Sequence, residues 1–269
     1  MTAAVHKAPL GVFLARNPFP GPFTDGLFFR DKMRALHRIA PDIPVSDILE
    51  VGGGQSGLSA LLYPQARVVN LDMEPAFAEA PCNRDDPRVT FVAGNATDLP
   101  FPDQSFDMVT MFDLLEHVPD DRAMSLEVLR VLRAGGWVLV STPDRERWRF
   151  PYYGVFRPIC PPEDELCAEW GHVRRGYTQG ELEALFGGPA EVAVSFINPL
   201  LALSHDVSFS RLSRRRRKLL HVLFAPVSAV GWLAHGRRTR GTEIAAAWRK
   251  ADGRFGTLTQ ASRVDISSR

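Results

Sequence analysis

The residues best equipped for chemistry lie in the run Ile48-Leu-Glu-Val-Gly-Gly-Gly-Gln-Ser-Gly57. An apolar, strand-like stretch enters a glycine-rich turn, and Gly52, Gly54 and Gly57 give the spacing G-x-G-x-x-G. Such glycines allow a tight turn, close backbone approach to a ligand, and close packing of the next helix on the strand. Asp72 ends the following apolar run, where a carboxylate can accept both hydroxyls of a ribose. Glu50 stands two residues before the first glycine. A carboxylate there would repel the pyrophosphate of NAD, because like charges at short range destabilise each other. It suits a ligand carrying an ammonium and a sulfonium, so the charges favour S-adenosylmethionine over a dinucleotide. Two plainer readings stay open: a glycine turn without a ligand, and a Glu50 that caps backbone amides of the turn.

Further matches follow in order along the chain: Asn70-Leu-Asp-Met73, Gly94-Asn-Ala-Thr-Asp-Leu-Pro-Phe-Pro-Asp-Gln-Ser-Phe-Asp107, Leu115-Glu-His-Val-Pro-Asp120 and Arg130-Val-Leu-Arg-Ala-Gly-Gly136. Together with the glycine turn, this series resembles the class I S-adenosylmethionine-dependent methyltransferases, in the group that holds small-molecule and lipid-precursor enzymes. The resemblance covers roughly residues 45–187. It implies that Glu50 holds the methionine amino group, commonly through water, that Asp72 binds the ribose, and that Met73 packs on the adenine. Asn95 stands where the family usually has an acid that accepts from the adenine amino group; its side-chain oxygen keeps the acceptor and loses the charge. Ala96 would offer its N–H to the adenine ring, and Phe112 would line the cofactor. The implied fold is α/β and Rossmann-like, a seven-stranded, mostly parallel sheet in the order 3-2-1-4-5-7-6. Its last strand is antiparallel and helices cover both faces. The implied reaction moves a methyl group to a small-molecule or lipid-linked acceptor and releases S-adenosylhomocysteine.

Methyl transfer asks for an in-line nucleophile before an already activated methyl group, so positioning and desolvation can supply most of the catalysis. A base is needed where the acceptor is a hydroxyl. His117, in Leu-Glu-His-Val, and His172, in Trp170-Gly-His-Val-Arg-Arg-Gly-Tyr177, are the candidates, each also suited to a loop-orienting role. Oxygen is the expected acceptor atom because it would give a histidine work to do. The rivals are a cofactor-binding protein without catalysis, an NAD-dependent oxidoreductase, and a nucleic-acid methyltransferase.

The elements that must position these residues alternate in type, as in a parallel sheet. Strands are expected at 47–51, 67–71, 89–93, 106–111, 136–141 and 190–197. Residues 242–249 suit a last strand, although their alanines would also suit a helix. Helices are expected near 25–39, 56–63, 76–80, 120–133 and 179–186, with Gly135 or Gly136 ending the fourth of these. Residues 1–45 read as an N-terminal cap and 46–197 as the core. Within the core, the aromatic stretch 145–177 is too long for an ordinary connection and reads as part of an acceptor pocket or lid. Residues 198–240 form a further insert, 241–250 the last strand, and 251–269 a polar tail.

The chain has 269 residues with 45% hydrophobic and 23% charged, enough for one large α/β domain and against global disorder. Cys82, Cys160 and Cys167 have no metal-ligand or disulfide spacing, so no metal is expected and a cytoplasmic location is the default. No apolar run is long enough to span a bilayer, and no secretory leader is read. The net charge of +1 conceals an asymmetry: residues 211–240 hold nine basic residues and no acid. Arg214 to Lys218 lead into a mainly apolar stretch of sixteen residues that is broken by Pro226. Basic flanks around an apolar stretch suit the surface of an anionic membrane. The same segment also suits a helical cover over the pocket, whereas nucleic acid would leave the apolar part unexplained.

Overall fold

The computed structural model describes residues 6–17, 26–236 and 239–251. Its apolar runs pair into one seven-stranded sheet in the order β3-β2-β1-β4-β5-β7-β6. These strands are β1 (Asp47–Val51), β2 (Arg67–Asp72), β3 (Val89–Ala93), β4 (Phe106–Phe112), β5 (Leu132–Pro143), β6 (Val192–Phe196) and β7 (Glu243–Arg249). β1 to β5 pair in parallel, and β7 runs antiparallel between β5 and β6. The alanines of β7 are fully buried between its neighbours, which explains residues small enough for either a strand or a helix.

The helices are α1 (Leu10–Ala15), α2 (Gly26–Ile39), α3 (Leu58–Leu62), α4 (Pro81–Arg84), α5 (Asp121–Val131), α6 (Glu163–Trp170), α7 (Gln179–Leu185), α8 (Pro199–Ser208) and α9 (Arg214–Leu233). One apolar core joins Met33, Leu36 and Ile39 of α2 and Leu58 and Leu62 of α3 to Ile48, Val68 and Met108 of the sheet. A second fills the opposite face with Met124, Val128 and Leu129 of α5 and Leu182 of α7. Caps fix where two of these helices begin. Asp120 accepts the Ala123 N–H at 2.9 Å, and Thr178 forms a reciprocal capping box with Glu181.

Several expectations need correction. Neither Gly135 nor Gly136 ends α5, which stops at Val131 and passes directly into β5. The glycines instead lie in an irregularity where β5 shifts register against β4; Gly135 has φ +73°, and a Cβ on Gly136 would lie 2.8 Å from the Asp107 carbonyl. The stretch expected at 76–80 is a 3₁₀ turn, Pro75–Glu79. Pro226 does not break the late apolar stretch, because α9 runs through it. Helices α1, α4, α6 and α8 carry no expectation from the sequence. Most of the Pro/Phe-rich stretch before α2, Arg237 and Arg238 of the basic segment, and the tail from 252 lie outside the described residues.

The long connection after β5 folds over α8 and α9 as a third apolar cluster of Trp148, Phe150, Phe156, Cys160, Leu166 and Val207. Asp206 on α8 fastens it by accepting the N–H groups of Tyr152 and Tyr153, each at 2.7 Å. No helix among the described residues is long and apolar enough to cross a membrane.

Candidate active site

A cavity of about 790 Å³ opens at the carboxyl ends of β1, β2 and β4, where ligands of open α/β sheets bind. Gly52, Gly54, Asp72, Met73, Phe77, Asn95 and Ala96 form one end of its wall, and Asp113, Leu114, His117 and Trp170 form the other.

The first end is built around the glycine turn. Gly52 has φ +68° and a Cβ on it would lie 2.5 Å from Leu114, so backbone shape and close packing both require glycine. Asp72 braces the turn by accepting the Gly54 N–H at 3.1 Å, while its other oxygen accepts the Glu74 N–H at 3.0 Å. Two residues that the sequence reading passed over hold the turn from below. Asn70 and Asn83 both donate to the Gly54 carbonyl, at 3.0 and 2.8 Å, and Asn70 also donates to Asn83 at 2.7 Å. Paired asparagines on a strand and on the helix beyond it carry no local signal of that convergence.

Glu50 lies behind the turn and not in the cavity wall. A Cβ on Gly53 would sit 2.6 Å from its Cγ and 2.5 Å from the Asn70 side-chain oxygen. Burial raises the Glu50 carboxyl to about 7, against hydrogen bonds from Ser59 and the charge of Lys32. One Glu50 oxygen and the Asn70 oxygen are buried without a hydrogen-bond partner. Such orphans cost free energy that a donor or a cation would relieve.

Other expected residues are placed differently. Gly57 is the left-handed residue before α3 and stands outside the wall; a Cβ there would meet Cys82 at 2.8 Å. Phe112 belongs to the apolar core beneath the cavity, and its successor Asp113 reaches the wall instead. Strand alternation explains this, since a one-residue step reverses the face. The Asn95 oxygen accepts both the N–H and the hydroxyl of Thr97, each at 3.0 Å. That occupies its two readily available lone pairs and leaves the expected adenine acceptor committed to the loop. Met73 lines the cavity with 75% of its surface exposed.

The second end is rich in buried charge. Asp113 has φ +53°, a backbone state that Asp tolerates better than most residues. Its carboxylate accepts the Ser141 hydroxyl at 2.8 Å and pairs with Lys32, which reaches across from α2. Burial works to raise the Asp113 carboxyl; Lys32, Ser141 and His117 overcome it and hold the group below its ordinary range. Glu116 accepts the Thr142 hydroxyl at 3.0 Å, and burial together with Asp113 pushes its carboxyl up to about 8. Burial raises Glu243 well above the usual range, with Asp113 and Glu116 adding to it.

His117 is in the wall, whereas His172 stands behind it. Their rings meet edge-on at 4.7 Å, and Trp148 and Trp170 pack around His172 at 6.2 and 5.4 Å. Burial and His117 lower His172 to about 4, which keeps it neutral at pH 7; its Nδ1 is buried without a partner. Glu116, His117 and His172 bring ligand atoms to within 4.8 Å of one another, so one carboxylate and two imidazoles converge where a cation or a shared proton fits. No sequence spacing announced this set, because His172 arrives through the long connection after β5.

Residues 49–140 match the family model described as a methyltransferase domain. Over these residues the chain is similar to methyltransferases. A protein of Mycolicibacterium smegmatis, named a probable S-adenosylmethionine-dependent methyltransferase, is 37% identical over 47% of this chain and 49% of its own length. A phthiotriol/phenolphthiotriol dimycocerosates methyltransferase of Mycobacterium ulcerans is 38% identical over 42% of this chain and 44% of its own. The chain thus spans about half the length of the curated relatives it matches. Among solved structures, geranyl diphosphate C-methyltransferase from Streptomyces coelicolor has a TM-score of 0.57 at 12% identity, covering 93% of this chain and 92% of its own. At that identity the likeness speaks for the fold. The matched residues include the glycine turn and most of the cavity wall, and the Mycolicibacterium relative is named for dependence on S-adenosylmethionine.

Proposed function

We propose that this chain binds S-adenosylmethionine in the 790 Å³ cavity and transfers its methyl group to a small-molecule or lipid-linked acceptor, at oxygen. The observation that carries the reading is the pairing of a glycine cradle with two carboxylates of different kinds. Asp72, at the end of β2, is half-buried at the cavity wall and suits ribose hydroxyls. Glu50, fully buried behind the turn with an unpartnered oxygen, suits an ammonium group by its charge or through an intervening group. A nicotinamide dinucleotide would instead bring its pyrophosphate towards Glu50.

The bound cofactor would supply a methyl group already activated by its sulfonium. The chain's own residues have three tasks. Gly52, Gly54 and Asp72 hold the ligand, with Leu71, Met73 and Phe77 giving the wall its apolar surface. Trp170 and Leu114 give the second end an apolar surface that would keep water from a bound acceptor. His117 presents the imidazole that would take the proton of an acceptor hydroxyl, and His172 would orient it from behind. The Mycobacterium ulcerans relative is named for methylation of phthiotriol and phenolphthiotriol dimycocerosates, which favours a lipid-linked acceptor here. An acceptor of that kind would bring the chain to a membrane surface.

Calorimetric titration with S-adenosylhomocysteine, with NAD in parallel, tests the reading. Micromolar affinity for the former alone is the expected result. Binding of NAD in its place, or of neither ligand by a folded sample, would overturn it. Binding without turnover across an acceptor screen would leave a cofactor-binding protein and remove the methyl transfer.

A further inference from the structure

The inward side of α9 is the one that carries its polar and small residues. His221, Ser228 and Gly231 are buried against α8, where Ser204 and Ser228 share a hydrogen bond of 2.8 Å and Asn198 donates to the Gly231 carbonyl at 2.7 Å. A Cβ on Gly231 would lie 2.8 Å from that of Leu200, so the two helices are closely packed. Leu220 and Phe224 complete the inner side, on the third apolar cluster. Arg34 of α2 grips the far end through the Trp232 carbonyl and its ring. The helix is therefore firmly seated.

Its outer side is apolar. Leu219, Val222, Leu223, Val227, Val230 and Leu233 are exposed by 68, 51, 64, 38, 56 and 74%. At about 3.6 residues per turn they fall on one face, which runs for about 21 Å along the axis. A helix on the surface of a soluble protein normally turns that face inward, and a contiguous exposed apolar strip marks an interaction surface. Arg215 and Arg216 are exposed, and the same helical period sets them at the amino end of the strip, flanked by Arg214 and Lys218. The helix carries no acid that would oppose them.

We propose that this face of α9 seats on an anionic membrane surface, its apolar strip in the acyl boundary and the arginines among the lipid phosphates. The charge pattern selects this occupant. A helix lying in the interface needs an apolar side and cations that can reach the headgroups, and both are present here. A second copy of the chain would bring the same cations together in a parallel face-to-face dimer, and in an antiparallel one would offer them no acid from α9. The placement also reaches the cavity. Trp170 of the cavity wall touches Phe209 with ring centroids 4.7 Å apart, and Phe209 is 38% exposed just before the basic end of α9. A lipid-linked acceptor leaving the membrane would meet this aromatic path first; that last step rests on the proposed function, while the membrane contact does not.

The test is flotation of the full chain with vesicles of phosphatidylcholine alone or with 30% phosphatidylglycerol, at low and physiological salt. The wild type should float with the anionic vesicles, and less at higher salt. Arg215→Glu with Arg216→Glu should weaken binding by tenfold or more, since each basic residue near such a surface contributes on the order of fivefold. Leu223→Gln with Val230→Gln alters exposed positions and should also release the protein. S-adenosylhomocysteine affinity, measured on each variant, should stay within twofold and reports folding separately from the cofactor reading. A folded wild type that stays with neither vesicle overturns the proposal, as does binding indifferent to these substitutions. A vesicle-independent dimer that the Leu223→Gln/Val230→Gln variant dissolves also overturns it, and assigns the face to a second copy.

Discussion

The two ends of the cavity are held together by different physics. The end at β1 and β2 is mostly backbone: a glycine turn, Asp72 accepting a turn N–H, and two asparagines fixing one carbonyl. Its precision comes from neutral or singly charged hydrogen bonds between residues close to the strand ends. The end at β4 is mostly side chains: a half-buried Asp113 beside the buried Glu116 and Glu243, with Lys32 as the cation that faces them. Close hydrogen bonding fixes the geometry of the first end at little electrostatic cost. The second end keeps a charge imbalance, which fits a place where protons or a polar acceptor are handled.

Substitutions should separate the two ends. The largest expected effect is on the first: Asp72→Ala should weaken S-adenosylhomocysteine binding by about 1–3 kcal/mol, the scale of hydrogen bonds to a charged group. Calorimetry that finds unchanged affinity would remove Asp72 from the ligand. Lys32→Met addresses the second end and should lower stability by about 2 kcal/mol at pH 8, because it leaves Asp113 partly buried without its partner. The loss should shrink below about pH 4 as carboxylates protonate, and cofactor affinity should hold. Denaturant melts at the two pH values check this. A comparable fall in cofactor affinity would mean that the two ends do not act separately.

Glu50 lies between the two ends in its physics. Its folded value of about 7 exceeds the ordinary 4.5, so burying the charge costs stability that grows as pH rises between those values and is fully lost above 7. Glu50→Gln should therefore stabilise the ligand-free protein at pH 8, by on the order of 3 kcal/mol at most, and hardly at all at pH 4.5. An ammonium-bearing ligand favours the ionised form, so affinity should fall as pH drops below about 7, and the Gln variant should bind weakly with a flatter pH profile. Flat binding by the wild type from pH 5 to 8 would dissociate Glu50 from the ligand. The smallest effect is expected at Asn95. With its oxygen occupied by Thr97, Asn95→Ala should change affinity by less than about threefold; a tenfold loss would restore the adenine contact.

The same contrast explains what the sequence disclosed. Six strands could be read because apolar runs and turn residues are local signals, and the glycine turn is one continuous segment; the alanines of β7 left the seventh open between strand and helix. The buried charges were not legible in this way. Lys32 and Asp113 are 81 residues apart in sequence, and Glu243 reaches the site only because β7 inserts beside β5. His117 and His172 were visible singly, but their ring contact depends on the path of the long connection. Phe112 was misplaced by one residue, the step that alternation makes decisive. The sequence showed the unusual composition of α9, but only the packing of Ser228 and Gly231 shows which side faces out.

The tie between Lys32 and Asp113 makes α2 part of the chamber it covers. α2 supplies apolar side chains to the core and, from the same turn region, the cation that faces the carboxylates of β4 and β7. Relatives that exchanged only this leading segment would alter the charge offered to an acceptor while leaving the nucleoside side of the cavity untouched. Specificity could then diverge by replacement of a cap, with the sheet and its glycine turn inherited intact.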